Sequence, residues 1–289
     1  MLRSHTVVRV RSQAAHLHSA VGNVPWLFFT SRRLRKDLGP IYGYHFKWLS
    51  YREMLTALFL QKNWRKLEAQ TSLTFFLGSL LLVMGSIAEL QNLDLFKIIF
   101  VLGSAMFFFG ALIQFWQSAR AWYRNKKAIV ISFSLGLTAA FSAKLGTIFY
   151  NLDSISDWLD LDTGVYLERL FGPEFFFAGS FLFLISGIAH YAEIGHGRTL
   201  FIEKNHLAWW SCVSHVLGAL LFCLSALYGL QSIYGWPINM ISKVDSSTLC
   251  LAGSLLFVFM SLCLLAECSE NEVVNSRHGE LEFSDHINE

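Results

Sequence analysis

One twelve-residue phrase recurs six times along this chain, always inside a long apolar run, and an internal repeat of this kind makes each copy a structural unit. The copies read FFLGSLLLVMGS (Phe75 to Ser86), FVLGSAMFFFGA (Phe100 to Ala111), AKLGTIFYNLDS (Ala143 to Ser154), FFAGSFLFLISG (Phe176 to Gly187), HVLGALLFCLSA (His215 to Ala226) and CLAGSLLFVFMS (Cys250 to Ser261). Each has glycine fourth, at Gly78, Gly103, Gly146, Gly179, Gly218 and Gly253. A small residue follows (Ser79, Ser104, Thr147, Ser180, Ala219, Ser254), and another comes seven positions later (Ser86, Ala111, Ser154, Gly187, Ala226, Ser261).

The runs that hold these copies set the fold class. Of 289 residues, 54% are hydrophobic and 15% charged, whereas soluble domains carry roughly a quarter charged. Crossing a hydrocarbon core takes about 20 apolar residues, and six such spans are predicted, at 73–90, 95–116, 128–150, 175–194, 207–230 and 248–266. Lipid supplies no backbone hydrogen-bond partners, so the spans must be helices. Their unalternating hydrophobicity excludes a barrel. The expected fold is an all-α integral membrane protein, a six-transmembrane-helix bundle of repeated antiparallel hairpins held by glycine-serine or other small-residue packing motifs.

On a helical projection the glycine, its small neighbour, the eighth residue of each copy (Leu82, Phe107, Tyr150, Phe183, Phe222, Phe257) and the final small residue share one face. Small residues that let backbones approach are the usual contact surface between helices in lipid. This stripe therefore reads as the bundle interior, with the aromatic filling the space beside each close contact. The alternative is a cavity lined by the hydroxyls of Ser79, Ser104, Thr147 and Ser180. Two arrangements satisfy the repeat, a pseudo-threefold ring of hairpins and a pair of inverted three-helix halves.

Lys62, Arg65, Lys66, Arg120, Arg124, Lys126, Lys127, Arg198 and Lys204 flank one set of helix ends, and the opposite loops hold Lys97, Arg169 and Lys243. The positive-inside rule then places both termini on the cytoplasm-like side, or the matrix side of an organelle.

The pair FFLGSLLLVMGS and FVLGSAMFFFGALIQ resembles the two helices of the YrhK-like domain family of small membrane proteins, with a glycine-serine step in each helix. The segments GTIFYNLDS and AGSFLFLISGIAH are similar to the middle segments of multi-helix relatives, so the resemblance extends over about 75–267. It implies a multi-pass membrane protein, and it brings neither an assigned reaction nor a catalytic residue.

Residues 1–46 are basic, with no acidic side chain before Asp37, and read either as an organellar transit peptide or as a basic arm against anionic lipid. The first reading places the protein in a mitochondrial or other organellar inner membrane and the second in the plasma membrane. Residues 47–70 suit an interfacial amphipathic helix, 71–267 form the bundle, and 268–289 are expected to be an acidic disordered tail.

Ionisable side chains inside spans are costly and mark functional sites. Lys144 sits near mid-span, with Asn151, Asp153 and Asp157 toward the outer side, close to where Glu89 emerges. These are the transport candidates, and the competing reading has Lys144 snorkel or pair with one carboxylate. At the inner ends of the fourth and fifth spans stand His190, Glu193, His196, His206 and His215. His190 and His215 lie at similar depth, as axial haem ligands would, but the sequence favours interfacial histidines satisfied by water or lipid headgroups. No metal or other cofactor is predicted, and these five residues are weak metal candidates only.

The five cysteines lack metal or redox spacing. A formal charge of +2 makes nucleic acid an unsuitable partner. The partners expected are the bilayer and either a membrane complex or further copies of this chain. Three functions remain open: a non-enzymatic accessory or scaffold subunit, which the packing-dominated repeat favours; a small ion, proton or solute transporter using Lys144 and the outer carboxylates; and a haem or metal redox protein.

Overall fold

The structure is a computed structural model that describes residues 63–124, 131–159, 173–194, 202, 207–234 and 245–287. The basic arm, most of the expected interfacial helix, His196 and His206 lie outside these residues. A short 3-10 turn at Asn63–Arg65 leads into α1 (Leu67–Leu90), followed by α2 (Phe96–Arg124), α3 (Ile131–Leu159), α4 (Pro173–Ile194), α5 (Leu207–Tyr234) and α6 (Ser246–Ile287). All elements among the described residues are helical.

Five of the helices, all but α3, are long and apolar enough to cross a membrane. α3 is as long as α2, at 29 residues, but carries Lys144, Asn151, Asp153 and Asp157. α6 runs on to Ile287, so the segment expected to be a disordered tail is helical there. Extending a formed helix avoids the nucleation cost, and the sequence from Cys268 to Ile287 contains no proline and a single glycine, Gly279.

The turn from α1 to α2 is tight. Leu93 N–H bonds Ala88 O at 2.9 Å and Asn92 N–H bonds Glu89 O at 2.9 Å, the paired bonds of a Schellman cap. Asn92 takes the left-handed conformation this cap requires, at φ 54°. At the other end of the sequence, Asp245 caps α6 by accepting from Thr248 N–H at 2.7 Å.

Each helix packs on its neighbours in sequence, and α6 returns to α1, closing a ring. The tightest packing is within α1–α2, α3–α4 and α5–α6, which favours the ring of hairpins over two inverted halves. Each hairpin closes where two repeat glycines face one another. A Cβ on Gly78 would lie 2.7 Å from Phe107 Cδ2 and 3.1 Å from Gly103 O. One on Gly146 would lie 3.0 Å from both Gly179 O and Phe183 Cδ2, and one on Gly218 would lie 3.2 Å from both Gly253 O and Phe257 Cδ2. The reciprocal glycines house Leu82, Tyr150 and Phe222: a Cβ on Gly103, Gly179 or Gly253 would come within 3.0, 3.3 and 2.8 Å of these side chains. The missing methyl thus makes room for the eighth residue of the facing copy.

The small residues beside these glycines are sealed. Ser79, Thr147, Ser180 and Ser254 are 0% exposed. Ser79, Ser180 and Ser254 donate to the carbonyls of Phe75, Phe176 and Cys250 four residues back, at 2.7, 2.7 and 2.8 Å. Such bonding satisfies a hydroxyl without a partner helix. The outer surface is apolar, with Met84, Phe109, Phe181, Ile188, Leu217 and Leu255 exposed, as lipid-facing positions should be.

Gly146→Ala and Gly179→Ala, which push a methyl against a facing backbone carbonyl, should each destabilise the purified protein by about 1–3 kcal/mol. Thermal unfolding in detergent reads this, and an unchanged midpoint for both would contradict the glycine contact.

Candidate functional site

Six helices packed in a ring leave space along the axis, and aromatic side chains fill its middle. There Phe107, Phe183 and Phe257, the eighth residues of the second, fourth and sixth copies, meet edge to face. Their ring centroids are 6.0 Å (Phe107 to Phe183), 5.5 Å (Phe107 to Phe257) and 5.9 Å (Phe183 to Phe257) apart. The arrangement suits the ring quadrupole and forms a plug with one phenylalanine from each hairpin, against which Tyr150 and Phe222 pack at 5.3 Å from Phe183 and Phe257 respectively.

On one side of the plug is a cavity of about 300 Å³. Its walls next to the plug are Leu82, Tyr150 and Phe222, the eighth residues of the odd copies, followed by Phe100, Phe176 and Cys250, the first residues of the even ones. Tyr150 is held in place by a 2.8 Å hydrogen bond between its hydroxyl and Ser180 Oγ. At the far end Glu89, Asp157 and Gly229 occupy one repeat position, fourteen residues after Phe75, Ala143 and His215. Asp153 joins them from α3 and Lys97 from the start of α2. Glu89 and Asp157 are close enough to feel one another's charge, as are Asp153 and Asp157. Ser247 donates a hydrogen bond to Glu89.

On the other side lies a pocket of about 20 Å³, bordered by Glu68, Gln114, His190, Ser211 and His215. Gln114 and His190 stand at the same repeat position as Glu89 and Asp157, but on even helices, which run the opposite way. Gln114 Nε2 and His190 Nε2 are 3.0 Å apart, and His190 Nδ1 is 3.5 Å from Glu193 Oε2. The His215 ring packs on Phe183 and Phe257 at 6.1 and 5.6 Å, so this polar pocket abuts the plug. Glu193 is 0% exposed and Glu267 2%, both within this end of the bundle.

The sequence-predicted residues divide in two. Glu89, Asp153 and Asp157 come together on the cavity. Lys144 does not join them: its ammonium lies 4.6 Å from the Phe115 ring centroid, a cation–π contact between α3 and α2. Asn151 is a clamp between the same two helices. Its Nδ2 donates to Ser104 O at 3.0 Å and Thr147 O at 2.7 Å, and its Oδ1 accepts from Ser104 Oγ at 3.3 Å. Of the four hydroxyls proposed to line a cavity, only Ser104 does so.

His190 and His215 are neighbours, with ring centroids 6.0 Å apart, but the pocket they border, at about 20 Å³, has no room for a haem. Among the described residues no group of three or more His, Cys, Asp or Glu side chains is disposed to hold a metal ion. Lys97, Glu68, Gln114 and the aromatic walls were missed by the sequence reading, although the spacing that aligns Glu89 with Asp157 also picks out Gln114 and His190.

Lys144→Ala should leave solute exchange through the cavity unchanged within about twofold. Asn151→Ala should instead lower stability by about 0.6 kcal/mol, the average measured for hydrogen bonds between membrane helices, and by no more than about 1.7 kcal/mol, the largest. Flux in vesicles and unfolding in detergent separate the two, and loss of flux in Lys144→Ala alone would contradict this placement. Compared with known proteins, no family model, curated protein or solved structure matches the chain; its class, a membrane-embedded protein of packed helices, rests on its own residues and geometry.

Proposed function

We propose that this chain is a six-span solute carrier or gated channel whose path follows the axis of the helix ring. One observation carries the reading: a cavity of about 300 Å³ with an acidic rim and a polar pocket of about 20 Å³ lie on opposite sides of the phenylalanine plug. A bundle that only supports other subunits gains nothing from a hollow core, since an unfilled interior forfeits dispersion contacts. Ionisable groups within the membrane also need a reason to be there. In this reading α3 is the sixth span, its polar residues facing the cavity and α2 rather than lipid, and the three hairpins are copies of one unit. The likeness to YrhK-like proteins fits such a multiplied hairpin.

Orientation follows from charge. Arg65, Lys66, Arg120 and Arg124 lie at the plugged end, against Lys97 at the cavity end. The basic end faces the cytoplasm or matrix, so the cavity faces the opposite compartment and the plug blocks passage inward. Trp64, Trp116 and Trp122 at the basic end and Trp158 at the other, all exposed, suit the two interfaces.

Removing one plug member tests this directly. Phe107→Ala, in full-length protein reconstituted into vesicles and checked for helix content, should raise efflux of entrapped small solutes at least tenfold over the unaltered protein. Efflux that stays at the rate of protein-free vesicles in both would contradict an axial path and return the accessory-subunit role to first place.

A further inference from the structure

We infer that the solute admitted to this cavity is a small organic cation, its positive group held between the Glu89, Asp153 and Asp157 carboxylates and the faces of the aromatic walls. The inference rests on reading the cavity as a solute site and names the chemistry of that solute.

Charge comes first. Three carboxyl groups and one amine, that of Lys97, line the cavity, so acidic groups outnumber basic ones three to one. A cleft lined by one sign of charge between low-dielectric walls raises the local concentration of counter-ions by about 10–10³. An anionic solute is repelled, and a cation gains a Coulombic attraction to the carboxylates that a neutral solute, limited to hydrogen bonding with them, does not.

The walls then separate organic from inorganic cations. A bare metal ion needs a shell of close oxygen ligands. Among the described residues no three carboxylates are disposed to hold one. Below the acidic rim the cavity is walled by Phe100, Tyr150, Phe176 and Phe222, with the serines Ser104, Ser154, Ser225 and Ser246 also lining it and the phenylalanine plug as floor. The Tyr150 hydroxyl, the one polar handle among these rings, is already bonded to Ser180. Aromatic faces attract ammonium and guanidinium groups, more strongly when water is excluded. A volume of about 300 Å³ is at the lower end of small-molecule sites, so the solute is compact. An ammonium carrying a short apolar body satisfies rim and walls together.

Cys250 reports on the cavity from within, because it lines the wall between rim and plug and is a free thiol. Methanethiosulfonates convert a thiolate into a mixed disulfide: the new S–S bond forms as the S–SO₂ bond breaks and methanesulfinate leaves. Full-length protein in detergent is treated with the trimethylammonium-ethyl or the sulfonatoethyl reagent, and Cys250 labelling is followed by peptide mapping without reductant. Each rate is divided by that reagent's rate with 2-mercaptoethanol. The cationic reagent should then be at least tenfold faster. Asp153→Asn combined with Glu89→Gln should bring the ratio near one, and benzyltrimethylammonium should slow labelling where its uncharged carbon analogue does not. Equal normalised rates in the unaltered protein would overturn the cation assignment while leaving an accessible cavity. If neither reagent reaches Cys250 in folded protein yet both label it after denaturation, the solute-site reading fails too.

Discussion

The contact of glycine against backbone carbonyl, repeated in each hairpin, is the interaction on which the rest of the structure depends. Helices in lipid have no hydrophobic drive to associate, so their spacing is set by how closely their surfaces can approach. At Gly146 and Gly179 the limit is backbone itself. That approach fixes where the facing eighth residue lies, and in the even copies the eighth residue is the phenylalanine that reaches the axis. Substituting the glycine would therefore disturb both the hairpin and the plug.

A ring of six helices is also why the interior is hollow. In a hexagonal ring the distance from the axis to each helix equals the spacing between neighbours, about 8–10 Å for packed helices. That centre could hold a seventh helix, and only the largest side chains meet across it. Three phenylalanines suffice at one level. On one side Tyr150, Phe176 and Phe222 stand next to them, with Ser104, Ser225 and Asp153 also lining the cavity, and on the other Ser211 and Gln114 border a pocket of about 20 Å³. Hollowness is a consequence of helix number, and the polar lining gives it chemistry.

Much of the architecture was legible in the sequence, because period and hydrophobicity are local properties. Each expected span lies within or close to a helix, and the glycine stripe is the hairpin contact. What escaped was the angular position of individual side chains about the ring. Lys144 was grouped with Asp153 and Asp157 because all three share α3, yet nine residues separate Lys144 from Asp153, about 13 Å along a helix. Lys144 turns toward Phe115 while the carboxylates line the cavity. Asn151 looked like a pathway residue and is a clamp, since its amide can satisfy the Ser104 carbonyl and hydroxyl of the adjacent helix. Glu68 and Lys97, charges at the starts of α1 and α2, both border the axial spaces. The plug depends on three residues that meet only once the ring closes, and no spacing along the chain states that closure.

Closure of α6 onto α1 is therefore the central claim, and Ser72 and Cys268 test it most directly. Ser72 Oγ and Cys268 Sγ lie 3.9 Å apart although 196 residues separate them in sequence. With Ser72→Cys in the membrane, oxidation by copper-phenanthroline should form a disulfide with Cys268 within one chain, so that fragments cut between α3 and α4 stay joined until reductant is added. If fragments from fully oxidised membranes separate without reductant, α1 and α6 are not neighbours, the ring is open, and the axial cavity with its phenylalanine plug cannot exist as described.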